Sequence, residues 1–169
     1  MIYLPEKKFL FVSIPRTGSV SFQESLCQCL GFRKNELLLD GESVIVSDHI
    51  SALEIRGLIG EEAWAGCWKV ALARNPWDRV LSTYYYNRDG VVSRGLAVGN
   101  RIPLVLWVKY FSAKLMPFSF WLYLYPYHDC SSYICDQADD ILVDTVYAFS
   151  SIDAAFSDVL AYLGKDDEA

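Results

Sequence analysis

The pattern that most constrains this chain is a short apolar strand leading directly into a helix, which occurs twice in the first half. Residues 9–14 form a mostly apolar run, and residues 20–30 follow with apolar side chains at helical spacing. Residues 68–73 form a second run, and Pro76 stands where the first turn of a helix tolerates proline. Strands that alternate with helices are typical of βαβ units. The pattern predicts an α/β fold of three layers, with a central, mostly parallel sheet flanked by helices.

The rest of the sequence predicts further strands, helices and a loop. Gly31, Gly60 and Gly164 each follow a periodic segment and are expected to end its helix. Three glycines and few periodic apolar residues predict a loop over residues 90–99. The other predicted elements are strands at 43–47, 133–135 and 141–143, and helices at 51–59, 76–85, 104–115 and 152–163.

Length, composition and charge limit the class of protein. A chain of 169 residues suits one domain, so residues 1–169 are expected to form a single domain. A hydrophobic content of 53% supplies a substantial core. With 21 acidic and 15 basic residues, the net charge of −6 excludes a globally basic nucleic-acid binder and leaves room only for a local anion site. No nucleic-acid partner is therefore expected.

The cysteines and histidines bear on the compartment and on metals. The five cysteines are odd in number, form no CxxC pair and follow an N-terminal stretch without a signal-peptide pattern. This set indicates reduced thiols and predicts a cytoplasmic location. The two histidines have no metal-type spacing, so no metal site is expected.

The most apolar stretch of the chain covers residues 102–127. It is interrupted by Lys109, Lys114, Pro117 and Pro126, so it never supplies the roughly 18 uncharged apolar residues of a membrane span. Buried amphipathic helices are the favoured interpretation, and no integral membrane segment is expected.

Residues 15–22 have the chemistry of an anion-binding turn between a strand and a helix. Gly18 allows close approach of the backbone to a ligand, and the start of the helix presents N–H groups and the positive end of its dipole. A cation and three hydroxyl donors complete the turn: Arg16, Thr17, Ser19 and Ser21. The turn lacks the GxxxxGK[ST] pattern of a Walker A loop. Taken alone, it fits an ordinary strand-to-helix turn equally well.

A second site begins at Arg74, at the carboxyl end of the second predicted strand. Ligands of open α/β sheets usually bind at this edge. Ser82 follows about two helical turns later, so the two residues can form an anion site. Taken alone, the segment favours a structural ion pair between Arg74 and Asp78, with Trp77 in the core.

Together, residues 9–22 (FLFVSIPRTGSVSF) and 74–84 (RNPWDRVLSTY) resemble the two donor motifs of sulfotransferases that use 3′-phosphoadenosine 5′-phosphosulfate (PAPS). The first is similar to the family's 5′-phosphosulfate loop, a hydrophobic strand followed by P-[KR]-T-G-x-x-S. The second is similar to its 3′-phosphate motif, R-N-P-x-D-R-x-x-S-x-Y. The branch in question includes the heparan sulfate 2-O- and 6-O-sulfotransferases and compact microbial relatives. The positions of His49, Trp64 and the strand at 141–144 also fit this family.

The resemblance implies a P-loop-like domain that binds PAPS as sulfuryl donor and releases PAP, the desulfated product. It implies that the first loop holds the 5′-phosphosulfate and that Arg74 and Ser82 hold the 3′-phosphate. His49 is the implied general base, since imidazole titrates near neutral pH, and Arg16 occupies the place of the lysine that stabilises the leaving phosphate. The implied donor-binding residues are Arg16, Thr17, Gly18, Ser19, Val20, Ser21, Phe22, Arg74 and Ser82.

Two departures from the family pattern leave alternatives open. Arg16 replaces the usual lysine and cannot readily give up a proton, and Val20 stands where the family commonly has a hydroxyl residue. Both favour, as the alternative, a non-catalytic domain that binds PAP or PAPS. A P-loop phosphotransferase is a weaker alternative, because the Walker lysine is absent. His49 also fits a packing or capping role, with Asp48 as another N-cap candidate.

The expected acceptor is a hydroxylated carbohydrate or small metabolite. Aromatic side chains could form a stacking wall for it, although their helical spacing favours a core position for most of them. The set comprises Tyr84, Tyr85, Tyr86, Trp107, Tyr110, Phe111, Trp121, Tyr123 and Tyr125.

Overall fold

A computed structural model describes residues 1–39, 42–90, 104–124 and 129–164 of the chain. The strands are β1 (Ile2–Leu4), β2 (Phe9–Val12), β3 (Glu36–Leu39), β4 (Glu42–Ile45), β5 (Trp68–Ala73) and β6 (Thr145–Ala148). The α-helices are α1 (Ser19–Leu30), α2 (Ala52–Ile59), α3 (Glu61–Gly66), α4 (Pro76–Tyr85), α5 (Leu104–Leu115), α6 (Phe118–Leu124), α7 (Ser131–Ile134) and α8 (Ile152–Tyr162).

The contacts of the chain divide it into two units. The first unit comprises Met1–Arg74 together with Asp129–Ala169, and the second comprises Asn75–His128. The expectation of a single domain over residues 1–169 stays a prediction.

In the described part of the first unit, four strands form a sheet in the order β1-β2-β5-β6. Strands β2, β5 and β6 are parallel, and β1 pairs antiparallel with β2 at one edge. The fold is therefore mixed α/β with a mostly parallel sheet. Val12 pairs with Ala71, and Ala73 pairs with Ala148, so the three parallel strands end side by side.

Both faces of the central strands β2 and β5 are buried. Successive side chains of a strand point to opposite faces, and β2 is apolar throughout, as a strand covered on both sides requires. Phe9, Phe11, Val70 and Leu72 pack against residues of α1 and α8 on one face. On the other face, residues of β2 and β5 pack against α2 and α3. The three-layer arrangement expected from the sequence is present in this unit.

Two helices of the first unit confirm the predicted boundary signals. Helix α1 ends at Gly31, which adopts a φ of 74°, and its amide donates to the Cys27 carbonyl. Helix α2 is capped by Ser51, whose hydroxyl accepts the Glu54 N–H while the Glu54 carboxylate accepts the Ser51 N–H. The alternative of Asp48 as the N-cap is therefore wrong.

The two short strands predicted near the carboxyl terminus are wrong. Residues 131–134 form the helical turn α7, and an isolated antiparallel bridge joins Cys135 to Ile141. The third parallel strand is β6, which begins after the predicted strand at 141–143 has ended. Val143 is instead a loop residue that packs into the core.

An ion pair between buried Lys69 and exposed Asp144 lies just before β6. Asp144 accepts a hydrogen bond from the backbone N–H of Lys69 at 2.8 Å and pairs with the Lys69 ammonium at 2.8 Å. Lys69 is only 7% exposed and also donates to the Cys67 carbonyl. Because a buried cation requires such partners, Asp144 is held beside the start of β5, where its own backbone N–H also donates to the Lys69 carbonyl at 2.9 Å.

The predicted strand at 43–47 corresponds to β4, which forms an antiparallel hairpin with β3. These two strands form a sheet of their own and do not extend the central one.

The second unit is helical in the part that the structure describes. Helix α4 continues into a π-helical turn at Tyr86–Gly90, and α5 confirms the helix predicted over 104–115. The Tyr84 hydroxyl donates to the Met116 carbonyl at 2.8 Å, and the Tyr84 ring packs on Trp121. Apart from Gly90, the loop predicted over 90–99 lies outside the described residues. None of the described helices is both long enough and apolar enough to cross a membrane.

Candidate anion-binding site

The loop between β2 and α1 is fastened by its own hydroxyl groups. Thr17 Oγ1 donates to the Ile14 carbonyl at 2.9 Å, and Ser19 Oγ donates to the same carbonyl at 2.6 Å. Both side chains are buried. The hydroxyls of Thr17 and Ser19, expected as ligand donors, therefore hold the shape of the loop.

Gly18 is the point of closest packing in this loop. It adopts a φ of 82°, in the left-handed region that favours glycine. A Cβ at this position would lie 2.7 Å from Phe149 Cε2 and 3.3 Å from Ile152 Cδ1. The loop therefore fits against the end of β6 and the start of α8 only with glycine at position 18.

We expect Gly18→Ala to lower the free energy of unfolding by about 1–3 kcal/mol, because it adds both backbone strain and a clash with the Phe149 ring. Gly57→Ala is the matched control, since Gly57 lies within α2 with open space around its Cβ position. This control should raise the stability by about 0.5–1 kcal/mol. Urea unfolding of both variants measures the two changes. Equal stability of the two variants would contradict this account of Gly18.

The remaining loop residues differ in exposure. Arg16 is half-buried and adopts a φ of 64°, unusual for a residue that is not glycine. Val20 and Ser21, in the first turn of α1, are exposed, and Gly18 provides no side-chain cap for that turn. The first amides of a helix have no partner within it, so this turn offers N–H donors to an anion. Phe22 is buried and stacks on Phe11, so its role is in the core.

Arg74 lies directly after β5, as predicted. Its guanidinium carbon is 4.7 Å from the centre of the Phe149 ring. Its Nε atom is buried and has no hydrogen-bond partner among the described residues. A buried donor of this kind costs free energy unless a ligand satisfies it.

Phe149 connects the two predicted sites and was missed by sequence reasoning. It follows β6, while the loop follows β2 and Arg74 follows β5, so all three stand at the carboxyl ends of neighbouring parallel strands. The same ring touches the Gly18 position and lies under the Arg74 guanidinium. Open α/β sheets bind ligands at this edge. The combination of free helix amides, Arg16 and Arg74 suits an anionic ligand.

His49 also lies at this edge. Its Nδ1 atom is 3.2 Å from the Ser13 carbonyl oxygen and 3.4 Å from Ser13 Oγ, and Ser13 follows the last residue of β2. When Nδ1 carries the proton and donates to that carbonyl, Nε2 is the basic nitrogen. The structure thus brings His49 next to the predicted loop, although the two are far apart in sequence.

Ser13 is itself held by a buried polar side chain of α1. Gln23 Nε2 donates to Ser13 Oγ at 2.9 Å and to the Ser19 carbonyl at 3.1 Å. Both Ser13 and Gln23 are fully buried. This network fixes the position of the residue that His49 contacts, and neither Ser13 nor Gln23 was singled out from the sequence.

The carboxylate beside His49 is ionised at neutral pH. Burial opposes ionisation of Asp48, but the Asn35 amide donates a hydrogen bond to it and Lys34 lies nearby. The hydrogen bond and the positive charge together hold the pKa of Asp48 below its usual value.

Ser82 belongs to the second unit, where it is half-buried in α4. Asn75 caps this helix by accepting the Trp77 N–H at 3.0 Å. Trp77 is 73% exposed, so the alternative that places it in the core is wrong.

Of the aromatic residues expected as an acceptor wall, Tyr125 and the side chain of Trp107 lie outside the described part of the structure, and the others differ in exposure. Tyr84 and Trp121 are buried core residues of the second unit, as helical spacing indicates. Tyr85, Tyr86 and Tyr123 are exposed, and Tyr123 reaches 90% exposure.

A cavity of about 530 Å³ lies elsewhere in the first unit. It is bordered by the turn after β1, by Leu30 at the end of α1 and by Phe32 just after that helix. None of the residues predicted for the site lines it.

Among the described residues, no group of three or more His, Cys, Asp and Glu side chains is placed to hold a metal ion. Comparison of the chain with models of protein families gives no match. Comparisons with curated proteins and with solved structures also give none.

Proposed function

We propose that this protein is a sulfotransferase with a P-loop-like fold that moves a sulfuryl group from PAPS to a hydroxyl of a carbohydrate or small metabolite. The observation that carries the proposal is the junction at Phe149, where the loop after β2 and the guanidinium of Arg74 meet one ring. Arg74, the first residue of the second motif, thus lies beside the first motif at the carboxyl edge of a parallel sheet. This is where such folds bind nucleotides.

The donor is bound chiefly through its negative charges. The first amides of α1 and the Arg16 guanidinium are proposed to bind the 5′-phosphosulfate. Arg74 is proposed to bind the 3′-phosphate, and the role of Ser82 in binding the same group stays a prediction from the resemblance. The buried Arg74 Nε atom, which lacks a protein acceptor among the described residues, supports this assignment because a phosphate oxygen can satisfy it.

The transfer requires an acceptor oxygen that loses its proton. In the proposed reaction this oxygen attacks sulfur as the bond between sulfur and the 5′-phosphate oxygen breaks, and PAP leaves with the bonding electrons. His49 Nε2 accepts the proton of the attacking hydroxyl, while the Ser13 carbonyl fixes the ring through Nδ1. Arg16 stabilises the charge that develops on the leaving phosphate and does not itself supply a proton.

The second candidate function is a domain that binds PAP or PAPS without transferring sulfate. Two observations favour it: Val20 brings no hydroxyl to the first turn of α1, and the Thr17 and Ser19 hydroxyls are directed at the Ile14 carbonyl. Incubation with labelled PAPS and a panel of hydroxyl acceptors separates the two functions. Transfer of label to any acceptor in the panel rules out the second.

We propose that the protein carries out this function in the cytoplasm. All five cysteines are free thiols in the structure, which suits a reducing compartment.

Calorimetry with PAP, ADP and 5′-AMP tests the donor site. We expect PAP to bind at least about 100-fold more tightly than 5′-AMP, because its 3′-phosphate adds charge-assisted hydrogen bonds of about 1.5–3 kcal/mol each. ADP, which lacks the 3′-phosphate, should resemble 5′-AMP more than PAP. Equal affinity for all three nucleotides, or binding of none, would exclude the proposed function.

A further inference from the structure

Helix α6 of the second unit buries one face and exposes another that is apolar. Trp121 is 1% exposed and packs with Tyr84 and Phe118. Phe120, Tyr123 and Leu124 are 67%, 90% and 58% exposed. Their spacing of i, i+3 and i+4 places these three on a single face of the helix.

The end of the preceding helix, α5, also exposes a large apolar side chain. Leu115 is 76% exposed at the end of α5, and its neighbour Lys114 is exposed as well. A monomeric soluble protein usually exposes such side chains singly, so a group of four large apolar residues on two consecutive helices marks an interaction surface. We call Leu115, Phe120, Tyr123 and Leu124 the apolar face.

The charge of the surrounding sequence indicates the partner. Residues 90–128 contain four basic residues and no Asp or Glu, although the chain has 21 acidic residues in all. The same segment holds nine of the 25 aromatic residues. Aromatic and leucine side chains beside lysine and arginine are typical of helices that lie in the interface of an anionic membrane.

We propose that the apolar face docks this protein on the surface of an anionic lipid bilayer. The exposed rings project from the helix and can enter the boundary between headgroups and acyl chains, while Lys114 stays among the lipid phosphates. A symmetric dimer through the same face is less favourable, because a two-fold axis would bring the Lys114 side chains of both copies toward each other. This inference is independent of the proposed function.

Sedimentation of the full chain with lipid vesicles tests the docking. We expect binding to phosphatidylcholine vesicles that contain phosphatidylserine, with weaker binding to phosphatidylcholine alone and a loss of binding as salt is raised. The double variant Phe120→Ser/Tyr123→Ser should lower the partition coefficient at least about tenfold, because its rings no longer leave water. Lys114→Glu should lower it about fivefold or more on the anionic vesicles only.

Two matched variants in the first unit serve as controls. Ile141 is 64% exposed and Lys7 is exposed, and neither belongs to the apolar face, so Ile141→Ser and Lys7→Glu make the same kinds of change in the other unit. Both should bind vesicles as the wild type does, and circular dichroism should show that all variants are folded. Failure of the wild type to bind the anionic vesicles would overturn the proposal. Unchanged vesicle binding by the double variant would also overturn it. So would self-association of the wild type in sedimentation velocity, if the double variant abolishes it and lipid does not affect it.

Discussion

Arg74→Ala is expected to weaken PAP binding by about 100-fold or more. The guanidinium is the fixed positive charge at the carboxyl end of β5, and two charge-assisted hydrogen bonds to a phosphate are worth about 3 kcal/mol together. Binding of 5′-AMP should change little, because it lacks the phosphate that Arg74 is proposed to bind. Calorimetry of the two nucleotides with wild type and variant measures the difference.

Arg74→Lys separates the role of charge from that of geometry. Lysine keeps the charge but not the planar fork of donors, so its affinity for PAP should lie between those of wild type and Arg74→Ala. Arg56→Ala is the matched control, since Arg56 is an exposed arginine of the same unit that pairs with Glu61. It should bind PAP as the wild type does. A fall of equal size for PAP and 5′-AMP in Arg74→Ala would assign Arg74 a purely structural role over the Phe149 ring.

His49→Ala is expected to lower the rate of sulfate transfer about 10²–10⁴-fold while PAP binding stays within a few-fold of the wild type. The expected loss is that of a general base that takes the acceptor proton. In the wild type, kcat should rise with pH as the imidazole loses its proton, and this rise should be absent from the variant. Turnover of labelled PAPS at a series of pH values measures both effects.

His49→Gln keeps a hydrogen-bonding side chain of similar size but cannot take up a proton in this range of pH. It should therefore lose turnover as His49→Ala does. His128→Ala replaces the other of the two histidines and should leave the rate and its pH profile unchanged. Normal turnover in both His49 variants would eliminate His49 as the base.

The central strands could be predicted from the sequence, whereas the edge strand could not. Residues 68–73 form an apolar run with clear ends, and β5 covers these same residues because both of its faces are buried. In β6, half-buried and exposed residues alternate, since this strand lies at the edge of the sheet. The segment at 141–143 is more apolar and was predicted as the strand instead. In the structure Ile141 forms only an isolated bridge with Cys135, and the ladder with β5 runs from Thr145.

Within the site, the sequence indicated those residues whose role depends on backbone conformation or on charge. The positive φ of Gly18 and the position of Arg74 after β5 follow from signals in the sequence itself. Phe149 gave no such signal, because it follows the strand that was not predicted. Gln23 is polar in mid-helix and suggests an exposed position, but only the folded chain shows that it is fully buried against Ser13.

The hydrogen bonds that hold the loop after β2 affect the entropy that is lost when a ligand binds. One carbonyl, that of Ile14, accepts two side-chain hydrogen bonds, and buried Gln23 holds the residue before it. The backbone amides at the start of α1 are thus preorganised in the protein without ligand. Binding of an anion then causes little further loss of conformational entropy in the loop, so more of the interaction energy contributes to affinity.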